Sequence, residues 1–205
     1  MNRRQEIKAP FSAAAGASLL HASDVPTETS DPSYLDAQQP ESASVSPPIH
    51  PAVRIGHVHL KVADLERALA FYCGVLGFQL TQRYGKQAAF VSAGGYHHHI
   101  GLNTWETLGG SPPPAGTTGL YHLAILYPTR AELADALQRL VRAGIRLDGA
   151  SDHGVSEALY LRDPDENGVE LYWDRPKSQW PHDAEGKIEM FTRRLDLDGL
   201  RAELG

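Results

Sequence analysis

The sequence predicts an α+β fold made of two pseudo-symmetric βαβββ modules that together form one half-open, barrel-like cavity. Three observations carry this prediction: runs in which polar and apolar residues alternate, helical patterns that begin at capping residues, and a repeated order of elements. The repeat is clearest when HVHL (residues 57–60) is laid over HLAI (residues 122–125), which gives an offset of 65 residues.

The first module is expected over residues 53–105. Its first strand, within residues 55–62, has an apolar face and an unusually polar face that carries His57 and His59. Asp64 is a natural N-cap, and apolar residues then recur at helical spacing until Gly77, a good stop signal. Strand-like runs at residues 78–83, 88–92 and 97–105 complete the module.

The second module repeats this order over residues 119–174. A strand at residues 119–126 precedes a capping box that starts at Thr129, and a helical stripe of Leu and Val residues ends at Gly144. Strands are expected at residues 146–151, 157–162 and 168–174. In the last of these, Glu170 interrupts an otherwise apolar run, which favours a functional role for its carboxylate.

The composition sets limits on the rest of the chain. Residues 1–50 are rich in Ser, Ala and Pro without periodicity, so we expect a disordered leader before a domain at residues 51–178. Residues 179–205 are expected to form a partly helical extension that covers either the cavity mouth or an interface. A net charge of −6 without Lys/Arg runs argues against nucleic acid, and the chain lacks an apolar stretch long enough for a membrane span. The single cysteine, Cys73, suits a core position in a cytoplasmic protein, and exposed sheet edges favour a homo-oligomer.

Two pseudo-symmetric sheets that curve together would bring His57, His122 and Glu170 into one cavity. Two imidazoles and one carboxylate are the ligands of non-haem Fe(II) oxygenases, which leave three positions open for substrate and O₂. We therefore predict an iron site at these residues. His59 lies on the same face as His57 and is the alternative ligand.

Residues 55–181 resemble the vicinal oxygen chelate superfamily and, within it, the extradiol dioxygenases that cleave catechols. The resemblance lies in GHVHLKVADL (56–65), FY (71–72), LGF (76–78), HHIGL (98–102), LYHLA (120–124), SDHG (151–154) and YLRDP (160–164). It implies His57, His122 and Glu170 as ligands of Fe(II), with Mn(II) as the alternative. It also implies an aromatic diol and O₂ as substrates, and catalytic roles for His98, His153 and Tyr160.

Several alternatives stay open at this point. Glyoxalase-type members of the superfamily, which are lyases or isomerases, carry a fourth ligand at the counterpart of Glu170, and here that position is Gly101. Antibiotic-sequestering members bind their ligand without a metal. His97 and His99 could replace His98 if the strand is bulged. Tyr160 follows His153 more closely than is usual in such enzymes, which leaves its assignment open.

Overall fold

The computed structural model describes residues 47–205, and the elements within them fall into two similar halves. The first half contains β1 (Val58–Lys61), α1 (Leu65–Leu69) with a π-helical continuation (Ala70–Val75), β2 (Gln79–Tyr84), β3 (Ala88–Ser92) and β4 (Ile100–Asn103). The second contains β5 (Leu123–Leu126), α2 (Arg130–Arg142), β6 (Gly149–Asp152), β7 (Ser156–Arg162) and β8 (Gly168–Asp174). Beyond them lie a 3₁₀ turn (Lys177–Gln179), β9 (Arg193–Arg194), α3 (Leu197–Arg201) and a final 3₁₀ turn (Ala202–Leu204). The predicted leader falls almost entirely outside the described residues and stays a prediction.

The two sheets share one topology, which confirms the predicted βαβββ modules. Their strand orders are β1-β4-β3-β2 and β5-β8-β7-β6-β9, and in each the first strand runs parallel to the fourth. The register pairs His59 with Gly101 in the first module and Ala124 with Glu170 in the second. Gly101 is therefore the structural counterpart of Glu170, as the sequence overlay predicted.

Side-chain caps fix where the helices begin. The Asp64 carboxylate accepts hydrogen bonds from the backbone N–H groups of Glu66 and Arg67, and the Thr129 hydroxyl accepts one from that of Glu132. These bonds satisfy N–H groups that have no partner inside the helix. The predicted capping residues are thus confirmed.

The two modules share one contiguous apolar core, and polar contacts clamp them together. Tyr72, which is fully buried in the helical segment of the first module, donates a hydrogen bond of 2.9 Å to Asp163 in the β7–β8 turn. Asp165 in the same turn pairs with Arg67 at 2.6 Å and accepts the backbone N–H of Ala63 at 2.9 Å. Hydrogen bonds to charged groups at buried positions are among the stronger ones in proteins, so these contacts hold helix α1 against the turn.

Some details differ from the sequence prediction. Among the described residues, strands of the first sheet do not pair with strands of the second, so the sheets do not close into a barrel, which agrees with the predicted half-open arrangement. The differences lie in individual elements. Strand β5 is shorter than expected, and Val141 is 54% exposed although its spacing placed it on the apolar stripe of α2. The short strand β9, which pairs with β6, had no sequence signal. In the part of the chain that the structure describes, no helix has the length and apolarity needed to span a membrane.

Candidate metal centre

His122 and Glu170 lie next to each other because β5 and β8 are parallel neighbours. His122 immediately precedes β5, and Glu170 lies in the middle of β8 on the face opposite Val169 and Leu171. The imidazole Nε2 is 2.8 Å from the carboxylate Oε2, and the two side chains are 31% and 13% exposed. The pair thus presents one nitrogen and one oxygen donor to the open face of the second sheet.

Tyr160 and His153 extend this pair into a hydrogen-bonded network. Tyr160 is the register partner of Glu170 across β7 and β8, and its hydroxyl donates to Glu170 Oε1 at 3.1 Å. His153 Nε2 lies 2.7 Å from the same hydroxyl. Burial and the neighbouring Glu170 carboxylate raise the pKa of Tyr160 to about 12. Tyr160 is therefore a neutral phenol, and a hydrogen-bond donor, throughout the physiological pH range.

His57 and His98 lie together on the first sheet. Their ring centroids are 4.3 Å apart, and the His98 ring also meets the edge of Phe90 at 5.0 Å. The pKa of His98 is lowered, mainly by partial burial and to a smaller extent by the neighbouring His57, and this favours a neutral imidazole. His97 Nδ1 lies 2.7 Å from His98 Nδ1, so one of the two nitrogens must carry a proton and the other accept it.

The other histidines of the first sheet have packing partners. The His59 ring covers Gly101, where an added Cβ would stand 3.0 Å from three ring atoms, and it lies 5.5 Å from the Trp105 ring. The pKa of His59 is lowered, mainly by burial and to a smaller extent by the neighbouring His57. His99 Nδ1 lies 3.0 Å from the Ser92 hydroxyl. Of the three histidines at positions 97–99, it is therefore His98 that lies beside His57.

The six predicted site residues fall into two groups. His122, Glu170, Tyr160 and His153 form the network on the second sheet, and His57 with His98 forms a pair on the first. Within the described residues, three His, Cys, Asp or Glu side chains do not come close enough together anywhere to hold a metal ion. The imidazole and carboxylate of His122 and Glu170 nevertheless fit two ligands of an iron site, since a divalent cation would replace the direct contact between them.

Two contributors to this region were missed in the sequence. The Phe191 carbonyl and the Thr192 hydroxyl, both in the C-terminal extension, lie 3.0 Å and 3.2 Å from His153 Nδ1. Neither residue belongs to a periodic pattern, so no sequence signal pointed to them. A cleft of about 210 Å³ opens beside the network, lined by Tyr121, His122 and Tyr160 among others.

Comparisons with known proteins agree on one family. Residues 54–171 match the Glyoxalase/Bleomycin resistance protein/Dioxygenase superfamily. A catechol-2,3-dioxygenase of Bacillus subtilis (strain 168) is 46% identical over 158 residues, which cover 77% of this chain and 54% of that protein. Biphenyl-2,3-diol 1,2-dioxygenase 3 of Rhodococcus globerulus is 35% identical over 59% of this chain and 63% of its own length. The chain thus spans little more than half the length of these relatives. The crystal structure of a glyoxalase/dioxygenase from Nostoc punctiforme superposes with a TM-score of 0.52 at 22% identity, over 65% of this chain and all of that one, and shows the same fold.

Proposed function

Because this chain belongs to the Glyoxalase/Bleomycin resistance protein/Dioxygenase superfamily, we propose that it is an Fe(II)-dependent extradiol dioxygenase that opens a catechol-type ring with O₂. The hydrogen-bonded series His122–Glu170–Tyr160–His153 carries this proposal. It combines two candidate metal ligands with a phenol and an imidazole that can form hydrogen bonds with the oxygens of a bound diol. The dioxygenase relatives, both named for vicinal diols, support the same chemistry.

In this proposal His57, His122 and Glu170 hold the metal, with Fe(II) preferred over Mn(II). Bound iron supplies the redox chemistry and the open positions for the diol oxygens and O₂. Tyr160, which keeps its proton at neutral pH, donates a hydrogen bond to an anionic oxygen of the diol. His153 orients Tyr160 through Nε2, and His98, as a neutral imidazole, accepts a proton that the diol loses on binding.

The first sheet argues against the glyoxalase alternative. A fourth protein ligand would have to project from position 101, but this residue is Gly101 and the His59 ring occupies the space above it. A side chain introduced at position 101 would first meet the His59 ring, 3.0 Å from its Cβ. This supports a site with three protein ligands and open positions for two substrates.

The test is anaerobic addition of Fe(II) to the full chain, followed by a catechol and then air, with product absorbance and O₂ uptake recorded. Glu170→Ala should lower iron occupancy at least about tenfold. Asp174→Asn, a matched carboxylate change on the same face of β8, should leave it unchanged. His98→Ala and His153→Ala should keep the iron and slow turnover by roughly 10²–10⁴. If catechols consume no O₂ while the hemithioacetal of methylglyoxal turns over, the proposal is wrong and the glyoxalase alternative replaces it.

A second experiment determines which chain supplies His57, because the described residues do not bring it into one three-ligand cluster with His122 and Glu170. His57→Ala and Glu170→Ala chains are unfolded, mixed in equal amounts and refolded together, and the iron content is measured. If His57 comes from a second copy, mixing should restore roughly a quarter of the wild-type content, since only mixed dimers carry an intact site. If it comes from the same chain, iron should stay at the level of the separate variants. Loss of iron after His59→Ala, with full occupancy after His57→Ala, would make His59 the ligand.

A further inference from the structure

The C-terminal extension binds directly beside His153. Strand β9 adds to the edge of β6, with Arg194 opposite Ser151 and Arg193 opposite Asp152. Leu195, which is 4% exposed, donates its backbone N–H to Ala150. This pairing brings the residues that precede β9 to the chain just after β6, where His153 lies.

Phe191 and His153 contact each other in both directions. The backbone N–H of Phe191 donates to the His153 carbonyl at 3.3 Å, and the Phe191 carbonyl lies 3.0 Å from His153 Nδ1. Gly154 makes the approach possible: an added Cβ there would stand 2.7 Å from the Phe191 ring and 2.8 Å from Pro181. The extension is thus packed against the backbone of the residue that follows His153.

These contacts determine where the imidazole proton lies. A backbone carbonyl only accepts hydrogen bonds, so Nδ1 must carry the proton that points at Phe191. In the neutral ring Nε2 then has a free lone pair, and Nε2 is the atom 2.7 Å from the Tyr160 hydroxyl. The Thr192 hydroxyl, 3.2 Å from Nδ1, can accept this proton or donate its own to an unprotonated Nδ1, so the Phe191 carbonyl decides the tautomer. The opposite tautomer would leave the Phe191 carbonyl facing an unprotonated Nδ1. The Nδ1–H tautomer in turn requires the single Tyr160 proton to point at His153 Nε2, 2.7 Å away, instead of at Glu170 Oε1, 3.1 Å away.

We propose that the C-terminal extension is a positioning element of the site, in which the Phe191 carbonyl and the Thr192 hydroxyl hold His153 in its Nδ1–H tautomer and present a basic Nε2 to Tyr160. The role in catalysis rests on the proposed dioxygenase function, whereas the tautomer does not. In this tautomer of neutral His153, Nε2 accepts a hydrogen bond from the Tyr160 hydroxyl. Nε2 could donate one only in the charged ring. Phe191 and Thr192 act through His153 and are positioning residues.

The tautomer is measured by two-bond ¹H–¹⁵N correlation spectra of the metal-free protein with ¹⁵N-labelled histidine. In the wild type with a neutral His153 ring, Nδ1 should resonate as a protonated nitrogen and Nε2 as an unprotonated one. Gly154→Ala should displace Phe191 and move the population toward Nε2–H, the tautomer that free imidazole prefers in water. Gly186→Ala is the matched control, because Gly186 has the same φ of +79° as Gly154 but nothing lies within 4 Å of an added Cβ there.

Two further variants keep the inference testable if Gly154→Ala does not fold. Phe191→Ala keeps the carbonyl but removes the ring that packs on Gly154, so it should shift the tautomer in the same direction. Thr192→Val should do so to a smaller extent, and Thr192→Ser should restore the wild-type spectrum. With iron loaded, Gly154→Ala should lower kcat at least about tenfold with little change in KM, since a misplaced base affects the reaction more than binding. A wild-type His153 with its proton on Nε2, or tautomers that ignore all these changes, would overturn the proposal. Failure to turn over catechol would leave the tautomer result standing and count against the dioxygenase function instead.

Discussion

Gly168→Ala should separate the two candidate ligands of the second sheet. Gly168 begins β8, and its α-carbon lies against the chain that leads into β5. An added Cβ would overlap the carbonyl oxygen of Tyr121 and stand 3.0 Å from the Cβ and 3.1 Å from the Cα of His122. The obstacle is backbone on one side and the first atoms of a side chain on the other, so rotation of a flexible side chain cannot relieve it.

The required displacement is large on the scale of a metal site. To restore ordinary contact, the Tyr121–His122 backbone must move by about 1 Å, whereas ligand distances in metal sites are defined to within about 0.2 Å. We therefore expect the 2.8 Å contact between His122 and Glu170 to lengthen and iron affinity to fall at least about tenfold. The added bulk should also cost about 1–3 kcal/mol of unfolding free energy, at the lower end because Tyr121 is 80% exposed and can yield.

The assay is iron titration of Gly168→Ala beside Gly149→Ala, with urea unfolding of both. Gly149→Ala introduces the same methyl group on the same sheet at a site with room for it. Equal iron affinity and equal stability in the two variants would refute the reasoning, because the close approach at Gly168 would then have no energetic consequence. Reduced stability with unchanged iron affinity would show that His122 can follow the backbone shift and still reach the metal.

Three other changes test the scaffold. Tyr72→Phe removes the buried hydrogen bond to Asp163 and should cost about 1.5–3 kcal/mol in urea unfolding, against a negligible effect of Tyr84→Phe at an exposed position. Because burial and Asp163 raise the pKa of Tyr72 in the folded protein, this stabilisation is complete below pH 10 and declines above it, so the two proteins should converge at higher pH. Thr129→Ala should cost about 0.5–2 kcal/mol by removing the N-cap of α2, and Thr129→Ser should recover most of it. Deletion of residues 1–46 should leave the melting temperature unchanged, and a large decrease would disprove the predicted leader.

The two-module fold could be predicted because its signals are local. Alternation along a strand, a capping residue before a helix and a glycine after it are written within a few neighbouring residues, as at Asp64 and Gly77. The wrong prediction that Val141 is buried also came from a local signal. Its spacing matches the apolar stripe of α2, but at the last turn of the helix the stripe extends past the core that it covers.

The network on the second sheet depends on register, which is not local. That Glu170 lies between Ala124 and Tyr160 follows from two strand pairings, and only the resemblance to known dioxygenases placed Tyr160 there in advance. Neither the sequence patterns nor the resemblance to known dioxygenases predicted the contact of Phe191 with His153. It depends on a strand of two residues, too short to show alternation, that joins the sheet edge after a long irregular segment.

The position of His57 shows what an internal repeat does and does not determine. Duplication predicts that His57 and His122 occupy equivalent places before β1 and β5, and they do. The modules associate through one shared apolar core and through the polar contacts of Tyr72, Asp163 and Asp165, and in the sequence the last two look like ordinary turn residues. Those contacts join the helical segment of the first module to the β7–β8 turn, and among the described residues they do not gather His57, His122 and Glu170 into one cluster of metal ligands. Under the proposed function, the contacts that stabilise the pair of modules and the residues that hold the metal are different. Tyr72→Phe should therefore lower stability and leave iron binding unchanged, whereas Glu170→Ala should lower iron binding and leave stability unchanged.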